Sequence, residues 1–119
     1  MKIEVLFKEI EKVLREKLDK DIDIEYLGPS KISLSILNTD FIIEVVEING
    51  NKLTIEYDTG IVGKGLILGL LSISSGIKRA GHLTLEIDLT EFHEFFENIS
   101  IKEITFTGYN TIIIEGCLL

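Results

Sequence analysis

Apolar residues recur at helical spacing near the start of the chain. From Ile3 to Leu18 they lie three or four positions apart, and lysines and glutamates fill most of the other positions. This period is typical of a helix that packs one face on a protein core. The sequence therefore predicts an N-terminal amphipathic helix whose apolar stripe comprises Ile3, Leu6, Phe7, Ile10, Val13, Leu14 and Leu18.

The period then shortens to two, which is typical of strands with one buried face. Apolar and polar residues alternate over 22–26 and again over 32–36, on either side of a turn at Gly28-Pro29-Ser30. Further strands are predicted where the same alternation returns, over residues 82–89, 99–106 and 111–115.

The clearest predicted hairpin spans residues 41–57 and turns at Asn49-Gly50. This dipeptide suits a two-residue type I′ turn, because both central residues of that turn need positive φ. A three-residue loop would shift the pairing, so the register also depends on the loop length. The two-residue turn pairs Glu47 with Lys52 and Val46 with Leu53.

These elements predict one α+β domain over residues 1–119. We expect an antiparallel sheet of about six to seven strands built from hairpins. The N-terminal helix and two further helices, at about 61–79 and 91–97, are expected to lie on this sheet. Thr90 is the expected N-cap of the shorter helix.

Charge and cysteine content narrow the functional class. The chain carries 20 acidic and 12 basic residues, a formal net charge of -8, which argues against binding to nucleic-acid backbones. Charged residues interrupt every apolar run near the N-terminus, so we expect no secretory signal and a cytoplasmic location. A single cysteine, Cys117, cannot form an internal disulfide and fits a reducing compartment.

Residues 59–85 differ from the rest of this acidic chain, because they contain no acidic side chain. They also contain the most apolar run, at 65–73. The candidates for apolar contact at helical spacing are Leu66, Ile67, Leu70, Leu71, Ile73 and Ile77. The candidates for contact with an anion are Lys64, Lys78, Arg79 and His82.

Four interpretations of this apolar helix remain open. It is a core helix in which Gly65 and Gly69 allow close backbone approach, or a self-association surface, or the wall of a pocket for an apolar ligand, or a contact with a membrane surface. A core helix is the commonest outcome for an unbroken apolar helix in a small domain.

Motifs for catalysis and metal binding are incomplete. The string at 60–65 has the glycines and lysine of a phosphate-binding loop, but Asp58 replaces the first glycine and no Ser or Thr follows the lysine. His82, Glu86 and Asp88 share one face of a predicted strand, but about 20 Å separates the outer two at 3.3 Å per residue. We predict no metal, no cofactor and no catalytic residue, and we do not expect an enzyme.

The leading prediction is a non-catalytic protein-interaction module that self-associates, as a dimer, through apolar surface around residues 65–77. The alternative is a binding protein for an apolar small molecule or lipid, whose anionic head would meet the basic residues that flank the apolar segment. The expected partners are a second copy, another protein or this small molecule. Neither nucleic acid nor a membrane is an expected partner.

Overall fold

The computed structural model describes residues 1–73 and 75–119, without the side chains of Leu70, Ser72 and Ile73. In this part of the chain nine strands form two antiparallel sheets, accompanied by two α-helices. The predicted α+β class is confirmed. The predicted single sheet of six to seven strands is wrong, because the strands divide into a sheet of six and a sheet of three.

The elements run in the order β1 (Lys2–Leu6), α1 (Phe7–Leu18), β2 (Ile22–Gly28), β3 (Lys31–Ile36), β4 (Thr39–Asn49), β5 (Lys52–Asp58), α2 (Ile61–Ile73), β6 (Ile77–Gly81), β7 (Thr84–Asp88), β8 (Ile99–Thr107) and β9 (Thr111–Leu118). The large sheet has the strand order β2-β3-β4-β5-β7-β6, and the small sheet has the order β1-β9-β8. The strands predicted at 22–26, 32–36, 99–106 and 111–115 are confirmed, each with some extension.

The large sheet has one apolar and one polar face, as alternation along its strands requires. Ile55 and Leu85 are cross-strand partners on the apolar face, and both are buried. On the polar face Lys31 pairs with Glu44 at 3.5 Å between Nζ and Oε2. The apolar face joins residues of both helices and of the small sheet in one buried cluster.

The small sheet is attached to the ends of two hairpins of the large sheet. The N–H of Ile101 in β8 donates to the carbonyl of Gly50, and the N–H of Phe106 donates to the carbonyl of Pro29, both at 2.8 Å. Phe106 also packs edge-to-face on Phe7 of α1, with 6.2 Å between ring centroids. The turns β2–β3 and β4–β5 are therefore linked to one strand.

The N-terminal helix begins at Phe7, so the predicted start at Ile3 is wrong. Residues Lys2–Leu6 form β1 instead, with Ile3 opposite Ile114 and Val5 opposite Ile112. Over so short a stretch both periods are present, because Ile3 has helical spacing to Leu6 and Phe7 and strand spacing to Val5. Pairing with β9, which is remote in sequence, decides between them.

The predicted helix at 61–79 ends at Ile73, and residues Ile77–Gly81 form the edge strand β6. Gly76 lies between the two elements, and its carbonyl accepts a hydrogen bond from the N–H of Asp88 at 2.8 Å. A β-carbon on Gly76 would meet the Glu91 Cβ at 2.8 Å, so this close approach needs glycine. The chain therefore turns here and pairs with β7.

The predicted helix at 91–97 is replaced by two short 3-10 segments, Leu89–Glu91 and Glu94–Asn98. Asp88 rather than Thr90 caps the first segment, because its carboxylate accepts from the N–H of Thr90 at 3.1 Å. The prediction that Thr90 is the N-cap is therefore wrong.

The register predicted for the hairpin of β4 and β5 is wrong. Lys52 lies opposite Asn49 rather than Glu47, and Leu53 lies opposite Ile48 rather than Val46. The central turn residues are therefore Gly50 and Asn51, of which only Gly50 has positive φ, at 67°. Glycine with positive φ at the first central position is typical of a type II′ turn. A bulge between Val45 and Glu47 leaves Val46 without a cross-strand partner in this register.

Candidate functional site

A cleft of about 210 Å³ lies between α2 and the turn that joins β6 to β7. Residues from three parts of the chain line it: the end of β5, one side of α2, and the segment from β6 to the turn. The apolar lining residues are Tyr57, Ile67, Leu68, Leu71 and Leu83. The basic lining residues are Lys64, Arg79 and His82.

Helical spacing brings the α2 residues to the cleft. Lys64, Leu68 and Leu71 follow one another at intervals of four and three positions, so they lie on one side of the helix. Ile67 lies beside them, is 7% exposed and belongs to the buried cluster. One side of α2 therefore supplies a cationic side chain and an apolar wall.

Arg79 reaches the cleft because it lies on the apolar face of the large sheet. It is the cross-strand partner of Leu85, which is itself the partner of Ile55. Lys78 precedes it by one position and lies on the opposite face, with its Nζ 3.2 Å from Glu86 Oε1. Successive side chains of a strand point to opposite faces, so Lys78 and Arg79 lie on different sides of the sheet. In a helix the two side chains would lie next to each other.

The turn between β6 and β7 holds Leu83 in the left-handed region, with φ at 50°. A leucine rarely adopts this conformation, which costs on the order of 1–3 kcal/mol. The carbonyl of Leu83 accepts a hydrogen bond from the N–H of Tyr57 at 2.9 Å, which fixes the turn against β5. Leu83 therefore combines a strained backbone with a side chain that forms part of the cleft wall.

The basic side chains at the cleft are exposed. Among the described residues, ion pairs involve Lys2, Arg15, Lys31, Lys52 and Lys78, and none involves Lys64, Arg79 or His82. No acidic residue occurs between Asp58 and Glu86, so the segment that contains Lys64, Arg79 and His82 supplies no carboxylate of its own to pair with them. The arrangement favours an anion beside an apolar group.

Some of the site residues predicted from the sequence lie together at the cleft. Ile67 and Leu71 line the cleft, whereas Leu66 and Ile77 are half-buried against the core. The side chains of Leu70 and Ile73 lie outside the described residues. Of the four anion candidates, Lys64, Arg79 and His82 meet at the cleft and Lys78 does not.

Three cleft residues were not predicted from the sequence: Tyr57, Leu68 and Leu83. Leu68 lies four positions after Lys64, so helical spacing from a basic candidate was a usable signal for it. Tyr57 belongs to β5, and only the pairing of β5 with β7 brings it to Leu83. No local pattern indicates that contact.

The side of α2 that faces away from the sheet is apolar and exposed. Ile61 is 89% exposed, Val62 is 70% exposed and Leu68 is 59% exposed. A β-carbon added at Gly65 or Gly69 would meet no described atom within 4 Å. The interpretation in which these glycines allow close approach inside the core is therefore wrong.

A second, smaller cavity of about 100 Å³ holds charges that compensate one another. Lys52 and Lys78 both lie within 4 Å of Glu86 Oε1, at 3.9 and 3.2 Å. The hydroxyl of Thr90 donates to Asp88 at 2.6 Å, and this hydrogen bond is the main reason that the pKa of Asp88 lies below its ordinary value. Because its charged side chains pair with one another, this cavity offers a ligand less unpaired charge than the first cleft does.

The described residues contain neither a metal-binding cluster nor a membrane-spanning helix. Among residues 1–73 and 75–119, no group of three or more His, Cys, Asp or Glu side chains could hold a metal ion. In the same described part, no helix is long and apolar enough to cross a membrane. Comparisons with protein-family models, curated proteins and solved structures found no match.

Proposed function

We propose that the protein is a non-catalytic binding module for a small amphipathic molecule with an anionic head. The apolar part of this molecule enters the cleft beside Ile67, Leu71 and Leu83. The head meets Arg79 and Lys64 at the rim, with His82 beside them. The observation that carries the proposal is the meeting of an apolar lining with three basic side chains that have no ion-pair partner among the described residues.

The size of the cleft limits the ligand. A volume of about 210 Å³ is smaller than the roughly 300–1,000 Å³ of pockets that hold drug-sized molecules. The cleft therefore fits a short acyl chain, a single ring or one end of a longer molecule. Each CH₂ group that it buries contributes about 0.8 kcal/mol, which corresponds to about fourfold in affinity.

The head group follows from the chemistry of the rim. The planar guanidinium of Arg79 can donate two parallel hydrogen bonds to a carboxylate, and the ammonium of Lys64 adds a point charge. An uncharged ester of the same chain offers no such partner. A straight-chain carboxylate is therefore the simplest ligand of the proposed class.

The test is calorimetric titration with saturated fatty acids of six to twelve carbons, below their micelle concentrations, and with their methyl esters. We expect the affinity of the acids to rise about fourfold per CH₂ and then to level off when the cleft is full. The esters should bind at least about tenfold more weakly, since they lack the charged hydrogen bonds. Equal binding of acid and ester would overturn the proposed role of the rim.

A matched pair of variants locates the site. Arg79→Gln removes the charge at the cleft, and Lys78→Gln removes the neighbouring charge on the other face of the sheet. We expect the first to weaken binding by at least about tenfold and the second to leave it unchanged. Equal effects of the two would contradict binding in this cleft.

Self-association through residues 65–77 stays a prediction, as does the absence of catalysis. Leu66, Leu71 and Ile77 are half-buried within one chain, and Ile67 is buried. A contact between copies would use the exposed side of α2 rather than these four side chains.

A further inference from the structure

Two exposed surfaces of the molecule have opposite charge and similar apolar character. The first is called the α2 face and consists of Ile61, Val62, Gly65 and Leu68 with the flanking Lys64. The second is called the β4 face and consists of Ile42 and Val46 with the acidic residues around them. Each surface presents large apolar side chains to solvent, which is typical of contact sites when they lie together.

The α2 face is apolar at its centre and cationic at its margin. Ile61, Val62 and Leu68 expose more than half of their surface. Lys64 lies beside them, and Arg79 and His82 lie across the cleft that Leu68 also lines. No acidic residue occurs between Asp58 and Glu86 in the sequence, so this side of the molecule departs from the net charge of -8.

The β4 face lies on the opposite side of the large sheet. Ile42 is 41% exposed and Val46 is 44% exposed, the latter at the bulge that removes it from the strand register. Residues on this face near Ile42 and Val46 include five carboxylates and two lysines, Lys31, which pairs with Glu44, and Lys52, which pairs with Glu86. The carboxylates belong to Asp40, Glu44, Glu47, Glu56 and Asp58.

We propose that the α2 face of one copy docks on the β4 face of a second copy, so that the protein self-associates head to tail. This contact covers Val62 and Leu68 with Ile42 and Val46, and it places the cationic margin against the acidic one. A symmetric contact would instead set two cationic or two acidic margins against each other. Charge complementarity therefore favours the heterologous arrangement.

The arrangement has a consequence for stoichiometry. An open chain of copies keeps one unused α2 face at one end and one unused β4 face at the other end until it closes into a ring. The mass should therefore rise with concentration beyond that of a dimer. The contact shares Lys64 and Leu68 with the cleft. Val62 does not line the cleft, so variants of Val62 test the contact separately from the proposed function.

The test uses two identical substitutions, one on each face. Val62→Glu places a carboxylate in the α2 face, and Val46→Glu places one in the β4 face. Each variant alone should be monomeric in analytical ultracentrifugation at concentrations where the wild type assembles. An equimolar mixture should form a dimer and nothing larger, because it retains one intact face of each kind. Tyr109→Glu, at an exposed turn outside both faces, is the control that should assemble like the wild type.

Several results would overturn the proposal. The first is a wild type that stays monomeric, whether or not it binds anionic vesicles instead. The second is a single variant that assembles like the wild type. The third is a mixture of the two variants that forms no dimer. Circular dichroism melts check that each variant is folded. Ile61→Glu and Ile42→Glu repeat the test on the same two faces if either valine variant unfolds.

Discussion

Gly63 of α2 lies directly against the side chain of Thr59, and no space remains between them for a β-carbon. The hydroxyl of Thr59 also donates to the carbonyl of Asp40 at 3.1 Å. The first turn of α2 is thereby held against the start of β4. This contact fixes where Lys64 and Ile67 stand relative to the sheet, and so fixes one wall of the cleft.

Gly63→Ala should therefore destabilise the protein by about 1–3 kcal/mol, since the added methyl group must displace Thr59 or the helix. Gly65→Ala is the control, two positions along the same helix, where a β-carbon meets no described atom within 4 Å. It should be neutral or stabilising by up to about 1 kcal/mol, because alanine favours a helix over glycine. Urea unfolding measures both, and equal effects would contradict the tight contact at Gly63.

Leu83 allows the strain of the turn to be separated from packing. Leu83→Ala and Leu83→Gly both remove the side chain from the cleft, but only glycine adopts positive φ without cost. The glycine variant should be more stable than the alanine variant by about 1 kcal/mol. Both should bind the amphipathic ligand more weakly than the wild type does. Thermal unfolding gives the comparison, and an alanine variant that is the more stable of the two would show that the turn is unstrained.

The outer edge of β2 is covered by side chains of α1. The N–H of Ile24 donates to Glu11 Oε2 at 2.9 Å, and Arg15 donates to the carbonyl of Ile22 at 3.1 Å. Glu11→Ala should cost about 1–3 kcal/mol, because it leaves a part-buried N–H without this acceptor. Glu11→Gln should cost less, since an amide oxygen still accepts. Glu16→Ala, at an exposed position of the same helix, is the matched control for denaturant unfolding.

Asp88 predicts a pH dependence of stability. Its pKa is lower in the folded protein than in the unfolded chain, mainly because the Thr90 hydroxyl donates to the carboxylate. The ionised carboxylate therefore stabilises the fold above the unfolded pKa of about 3.9, and this contribution disappears as the pH falls through the folded pKa.

Asp88→Asn should accordingly lower the free energy of unfolding at pH 7, and the difference from wild type should shrink below about pH 4. Thr90→Val removes the donor and should show the same pH dependence. A cost that stays constant from neutral to acidic pH would contradict the role of the ionised form.

Local patterns in the sequence predicted most strands, and they failed where a distant partner decides the conformation. Ile3 fits a helix together with Leu6 and Phe7, and it fits a strand together with Val5. Pairing of Ile3 with Ile114 and of Val5 with Ile112 selects the strand. The register of the β4–β5 hairpin failed for a different reason. Gly50 occupies the first central position of the turn, and a bulge near Val46 compensates further along the strand.

The candidate site was predictable on α2 and unpredictable at its other walls. The basic, acid-free segment contains Lys64, Arg79 and His82, and these three residues line one cleft. The predicted helix extended to residue 79 and so did not indicate that Lys78 and Arg79 lie on opposite faces of a sheet. Tyr57 reaches the cleft through pairing across β7, which no pattern around Tyr57 shows.

The pairing of β1 with β9 imposes an order on folding. Lys2 pairs with Glu115, and the carbonyl of Pro29 and the carbonyl of Gly50 both accept from β8. During synthesis, β1 leaves the ribosome before β9 and must wait for β9 before the two can pair. Contacts so distant in sequence slow folding, and they leave the edges of early hairpins exposed in the meantime. A nascent chain stopped before residue 99 would therefore hold a large sheet with two unanchored hairpin ends, and it should depend on chaperones more than a chain that includes β8 and β9 does.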